Sequence, residues 1–200
     1  MAQLLTSLPT WWIIRVCGLA AYALLFIGVA TGIMGSMPFW RGAEKARLYR
    51  IHSSASNIGL VLSLIHVLVL VIDRYQPFAL SELLIPFTSS HRPIFNGMGT
   101  LALYGLLLLI VTTDFKGLFG QKLWRVFHLS AYPVFALAML HGLGTGTDSK
   151  APLVIALYGL TCAIVVILTG LRVYLGIKQA GGQRNAYFAR GGRHKAGHAD

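Results

Sequence analysis

Of 200 residues, 56% are hydrophobic and only 12% charged, where a soluble domain carries roughly a quarter charged residues. The 17 Lys and Arg against 6 Asp and Glu leave a net charge of +11. That surplus would suggest nucleic acid on a polar chain, but here it flanks apolar runs, as the residues that orient membrane proteins do. The two cysteines, Cys17 and Cys162, lie inside apolar runs, which excludes a disulfide scaffold, an all-cysteine iron–sulfur site and a CxxCH haem attachment.

Five segments reach the length needed to cross a bilayer, about 20 mostly apolar residues. The first, near Trp11–Met37, has no basic residue before Trp11 and outruns a signal-peptide core, so it is expected to be a span. It carries Arg15, costly in an apolar helix unless paired, and a Gly28-xxx-Gly32 motif suited to close helix packing. The second, near Ile51–Ile72, holds His52 and His66, with a run of small residues from Ser53 to Gly59 that leaves room for a large planar group. The loop Arg74–Phe95 is too long to be a mere connection, and its Phe78–Phe87 stretch is expected to form a short interfacial segment. The third span, near Gly97–Thr113, has no ionisable residue and is predicted to be a lipid-facing spacer. The fourth, near Leu123–Leu143, holds His128 and His141 with Pro133 between them, and the fifth covers Pro152–Gly176. Residues 177–200 are basic and Gly-rich and are expected to form a flexible cytoplasmic tail. The predicted fold is therefore an all-α, polytopic five-helix bundle over residues 1–176.

Charge sets the orientation. Thirteen Lys and Arg fall in segments 38–50, 114–125 and 172 onward, three in the opposite loops (Arg74, Arg92, Lys150), and the acids divide evenly. By the positive-inside rule the N-terminus is predicted outside and the C-terminus in the cytoplasm, in a cell's inner (plasma) membrane.

Four of the seven histidines fall in spans, where an ionisable side chain points to function. His52 and His66 are 14 residues apart, His128 and His141 13, which is about 21 and 20 Å along a helix axis. Both helices run the same way, so His52 and His128 share one depth and His66 and His141 another. Two histidines at one depth can take the two axial positions of a haem iron, and two such levels fit within a hydrocarbon core of about 30 Å. Helical phase puts His52 and His66 on one face but leaves His128 and His141 about 140° apart on an ideal helix. Pro133 should therefore distort the fourth helix.

The His-x13-His and His-x12-His spacing, the Trp124-Arg125-x-x-His128-x-x-x-Tyr132 segment and His141-Gly142 followed by Gly-Thr-Gly-Thr-Asp148 resemble the ferric reductase-like transmembrane domain family. That domain is shared by ferric reductases, NADPH oxidases and a bacterial haem subunit of methionine sulfoxide reduction. The resemblance covers roughly residues 11–176. It implies two haem b groups, an inner one on His52 and His128 and an outer one on His66 and His141, stacked between helices 2 and 4. Only some 24 residues follow Gly176, too few for the flavin and nicotinamide module of the full reductases, so no NADPH activity carries over and no flavin or nicotinamide site is expected.

The implied function is transmembrane electron transfer, as the haem-containing subunit of an oxidoreductase. Electrons would pass from a separate flavoprotein or quinol donor to an acceptor or partner subunit on the outer face; outward movement is favoured by roughly 2.3 kcal/mol per 100 mV. The alternative is a cytochrome b subunit of a larger respiratory or photosynthetic complex with no small substrate of its own. No nucleic-acid partner is expected. Arg50 and Arg125 near the inner level, and Arg15 near the outer, are the cations expected to meet haem propionates. Each ligand should donate its second ring N–H to a backbone carbonyl, expected four residues earlier on its own helix. His91 and Arg92 are expected to cover the outer site or to meet an acceptor.

Overall fold

The computed structural model describes residues 9–73 and 77–196, with side chains as far as Gly181. All regular structure among the described residues is helical: α1 (Thr10–Gly35), α2 (Gly42–Ile72), the short α3 (Leu80–Leu84), α4 (Pro93–Asp114), α5 (Lys116–Leu129), α6 (Ala131–Thr145) and α7 (Pro152–Ala196). Five stretches are apolar and long enough to cross a membrane: α1, α2, α4, α5 with α6, and residues 152–181 of α7. The protein is a multi-pass membrane bundle.

The apolar runs locate the crossing parts, while the helices themselves extend further. α2 starts at Gly42, well before Ile51, because Ala43–Arg50 continues the helix as a polar extension with Glu44 in the first turn, where a carboxylate suits the N-terminal dipole. α7 likewise passes Gly176 and enters the basic tail, continuing to Ala196; residues 197–200 lie outside the described residues. α4 opens on Pro93, a position whose missing N–H breaks no helical bond.

The fourth span is broken. α5 ends at Leu129, Ser130 donates its N–H to Phe127, and α6 begins at Ala131. Pro133 explains the position: it has no N–H for the Leu129 carbonyl, and its ring crowds that group. A second bend lies at Gly120, whose φ of 70° and ψ of 159° leave the helical region.

α1 lies along α2, α4 lies along α6, and α1 also meets α6 and α7. The third span is therefore no lipid-facing spacer. Its Leu106 and Leu109 are buried with Val134 of α6, because a run of Gly, Ala, Thr and Leu without charge packs as well against a helix as against lipid. Tyr22, Phe135, Tyr158 and Val165 belong, with Val29, Ile33 and Met37, to the larger buried cluster among the described residues. The Tyr22 ring stacks on Phe135 at 5.7 Å, and its hydroxyl pairs with that of Thr161 at 2.6 Å. At the end opposite the basic segments, Thr10 Oγ1 donates to Asp73 Oδ1 at 2.6 Å, joining the start of α1 to the end of α2.

Candidate functional site

The four span histidines meet in two pairs. His52 and His128 have ring centres 5.9 Å apart with planes at 65°, and His66 and His141 have centres 6.4 Å apart at 85°. The break at Ser130 makes this possible, since it re-phases α6 against α5 and lets His128 and His141 both face α2. The first pair lies toward the basic end of the bundle and the second toward the opposite end.

Three of the four rings are held alike. His52 Nδ1 lies 2.8 Å from the Gly28 carbonyl oxygen, His66 Nδ1 2.8 Å from that of Ile14, and His141 Nδ1 2.9 Å from that of Phe95. A carbonyl only accepts, so each Nδ1 carries the proton and donates it; in the neutral ring Nε2 is left with the lone pair.

Four residues after each accepting carbonyl stands a glycine under the ring. A methyl group on Gly32 would lie 3.1 Å from His52 Nδ1, on Gly18 3.1 Å from His66 Nδ1, and on Gly99 2.6 Å from His141 Nδ1. The residue four on from a helical carbonyl is the one whose N–H already bonds it. With no side chain there, the carbonyl oxygen is open to a second donor from the next helix. The carbonyl is thus borrowed from a neighbouring helix and not from four residues earlier on the histidine's own.

His128 differs. Its Nδ1 is buried with no hydrogen-bond partner among the described residues. Its ring stacks on Trp124, one turn earlier, at 4.8 Å and 26°, and the Trp124 indole N–H donates to Thr113 Oγ1 of α4 at 3.3 Å.

Around the His66/His141 pair lies a cavity of about 290 Å³, apolar within (Leu25, Leu103, Leu106) and polar at its mouth (Arg15, Glu82, His91, Asn96, Asp148). Arg15 forms an ion pair with Asp148 and stacks its guanidinium over Trp11 at 3.9 Å. Arg92 donates to the Gly144 carbonyl, and His91 lines the cavity. Arg50 and Arg125 are exposed, two and three residues before His52 and His128.

The small residues after His52 serve mainly helix packing: Ser56 meets Gly28, and Gly59 meets Leu24. Glu82 Oε1 accepts from the Ser90 N–H at 2.7 Å and Oε2 from the Ala79 N–H at 3.0 Å. Those bonds hold its carboxyl below the usual carboxylate range and brace α3 at the cavity mouth.

The donor set suits two separate ions. No group of three or more His, Cys, Asp or Glu gathers as a metal cluster among the described residues. An imidazole nitrogen sits about 2 Å from a bound transition metal, so rings on opposite sides of one ion have centres about 6 Å apart. Both pairs match that spacing, and three of the rings have their second nitrogen tied back as ligand histidines do.

Sequence reasoning singled out the four histidines, which the structure brings together in two pairs, and Arg15, which it sets beside Asp148. It missed Gly18, Gly99 and the Ile14 and Phe95 carbonyls, whose only signal is a glycine one turn beyond the acceptor. It also missed Asp148 as the partner of Arg15.

A bundle of five apolar helices with histidines paired at two depths defines a polytopic membrane protein with an interior suited to metal ligation. Residues 17–139, more than half of the chain, match the family described as ferric reductase like transmembrane component, and the chain belongs to that family. The matched region takes in His52, His66 and His128 and ends two residues before His141. No curated protein and no solved structure matches the chain.

Proposed function

We propose that the chain is the electron-carrying membrane component of an oxidoreductase, holding two b-type haems, one on His52 and His128 and one on His66 and His141. The observation that carries this reading is the pairing of two histidines of α2 with one each of α5 and α6, at ring separations of 5.9 and 6.4 Å. Bound there, each haem would supply a one-electron iron couple held by a pair of these histidines, an arrangement that would favour outer-sphere transfer over substrate chemistry at the metal. The chain's own contribution is to present Nε2 lone pairs and keep the rings from turning. The Gly28, Ile14 and Phe95 carbonyls do this for three of them, and accepting the second ring N–H also raises the ligand's basicity.

Haem propionates need cations. Arg15 at the mouth of the outer cavity, and Arg50 and Arg125 near the inner pair, are the proposed partners, with Asp148 keeping Arg15 in place meanwhile. The distribution of basic residues supports an orientation with the inner pair toward the cytoplasm and the N-terminus outside, and the membrane proposed is a cell's inner membrane. Electrons then run outward from a separate flavoprotein or quinol to an acceptor or partner subunit at the Arg15, His91 and Asp148 face.

The test is haem quantification on the purified chain. The wild type is expected to hold two haems, and His66→Ala and His128→Ala about one each. Unchanged content in both variants would sink the proposal.

A further inference from the structure

We propose that Thr113 is the positioning residue of His128, acting through Trp124, and that it does for this ring what a carbonyl above a glycine does for the other three. Its purpose rests on the two-haem reading above; its geometry rests on the chain's own atoms.

The first observation is a register. On α1 the carbonyls that receive His66 and His52 belong to Ile14 and Gly28, 14 residues apart, and the glycines under those rings, Gly18 and Gly32, are again 14 apart. His52 and His66 have the same spacing on α2. On α4 the Phe95 carbonyl and Gly99 serve His141 in the same manner. Fourteen residues further along α4 stand Leu109 and Thr113, about 21 Å down the axis, at the depth of His128. The pattern laid down by α1 against α2 is thus repeated by α4 against the broken α5 and α6. At its fourth place a threonine stands where the other three have glycine.

The second observation is what that threonine does. Thr113 Oγ1 donates to the Leu109 carbonyl at 2.7 Å, and the Trp124 indole N–H donates to Thr113 Oγ1 at 3.3 Å. Trp124 in turn lies against the His128 ring at 4.8 Å with planes at 26°. The hydroxyl takes the carbonyl that the register would offer to His128, whose buried Nδ1 has no hydrogen-bond partner among the described residues. It returns an acceptor one group further out, which fixes the indole, and the fixed indole presents a flat face to the imidazole. His128 is steered by a face where the other rings are steered by a bond. α5 has no buried residue, so packing constrains its rotation little, and the Trp124–Thr113 bond ties it to α4 at the depth of the ring.

Three variants separate the parts. Thr113→Val keeps the shape and removes the hydroxyl, Trp124→Phe keeps a ring to stack and removes the N–H, and Thr113→Ser keeps the hydroxyl. In the full chain purified with its haem, Thr113→Val and Trp124→Phe should each weaken haem retention at the His52/His128 level roughly tenfold, the scale on which a ligand's supporting contacts act. Both should shift the same ferric electron paramagnetic resonance signal, which follows the angle between paired imidazole planes. The double variant should lose no more than either single one, because both break the same bond, and Thr113→Ser should match wild type. Wild-type behaviour in Thr113→Val, or losses that multiply in the double variant, overturns the inference. Should Thr113→Val not fold, an unmoved resonance signal in Trp124→Phe overturns it. Wild type holding fewer than two haems overturns the underlying reading instead. The haem-free chain then decides, through the ultraviolet resonance Raman band of the Trp124 indole N–H, isolated as the difference from Trp124→Phe. That band should move to the position of an unbonded indole in Thr113→Val and stay in place in Thr113→Ser; a band that does not move in Thr113→Val overturns the inference.

Discussion

Gly99 has the least room of the three glycines under the histidines. A methyl group there would stand 2.6 Å from His141 Nδ1, against 3.1 Å for Gly18 under His66 and Gly32 under His52. Gly99→Ala must displace the ring, while the other two need only a shift of a few tenths of an ångström. We expect Gly99→Ala to lower haem affinity at the His66/His141 site by roughly 10- to 100-fold, the usual loss when a ligand's supporting bond goes. Gly18→Ala and Gly32→Ala should lose less, as read by haem content after dilution or gel filtration. The histidines were legible because an ionisable residue stands out in an apolar run. Gly99 and Phe95 were not, because a glycine in such a run looks the same whether it faces lipid, helix or ligand. Only the facing helix shows which. Gly28 and Gly32 were half legible, since their four-residue spacing already signalled close approach.

At the scale of elements, the break between α5 and α6 is what reconciles 13-residue spacing with two histidines facing one helix. Pro133 sets it, and interior proline costs a helix about 3 kcal/mol. Pro133→Ala should therefore stabilise the fourth span as a helix while turning His128 and His141 toward about 140° apart. We expect loss of haem at the His52/His128 level with the other level retained, since α6 stays anchored by Val134 and Phe135; absorption and haem content read both. The distortion was legible from Pro133 and its place in the sequence. The early start of α2 was not, because Ala43–Arg50 is helical outside the apolar core, and hydropathy marks the membrane, not the helix.

The loop element carries a pH prediction. Bonds from the Ser90 and Ala79 amides hold the Glu82 carboxyl below its ordinary range. A depressed folded value means the bracing is fully present above the ordinary carboxylate range and is lost as pH falls through the lowered value. A nitroxide on an Ile85→Cys variant should stay immobilised at neutral pH and loosen only in strong acid. Glu82→Gln should remove most of that pH dependence.

Over the whole molecule, the sequence puts thirteen basic residues in segments 38–50, 114–125 and 172 onward and three in the alternate loops, from which the positive-inside rule gives the expected orientation. Reporter fusions after residue 181 should read as cytoplasmic, and labelling of a Lys150→Cys variant should occur from outside without permeabilisation. The fold class was legible at this scale because five apolar runs leave few alternatives in a bilayer. Which helix lies against which was not, since uniformly apolar spans have no polar face to hide, and small residues alone fix the close pairs.

The aromatic cluster of Tyr22, Phe135 and Tyr158 lies between the two histidine levels, and its Tyr22 hydroxyl is closed upon that of Thr161. On the proposed reading this layer is a septum. An electron that crosses it moves charge through the apolar interior of the bundle. Turnover is then electrogenic. It should slow as the membrane potential opposes it and quicken when an ionophore collapses that potential, in proportion to the fraction of the bilayer that the septum spans.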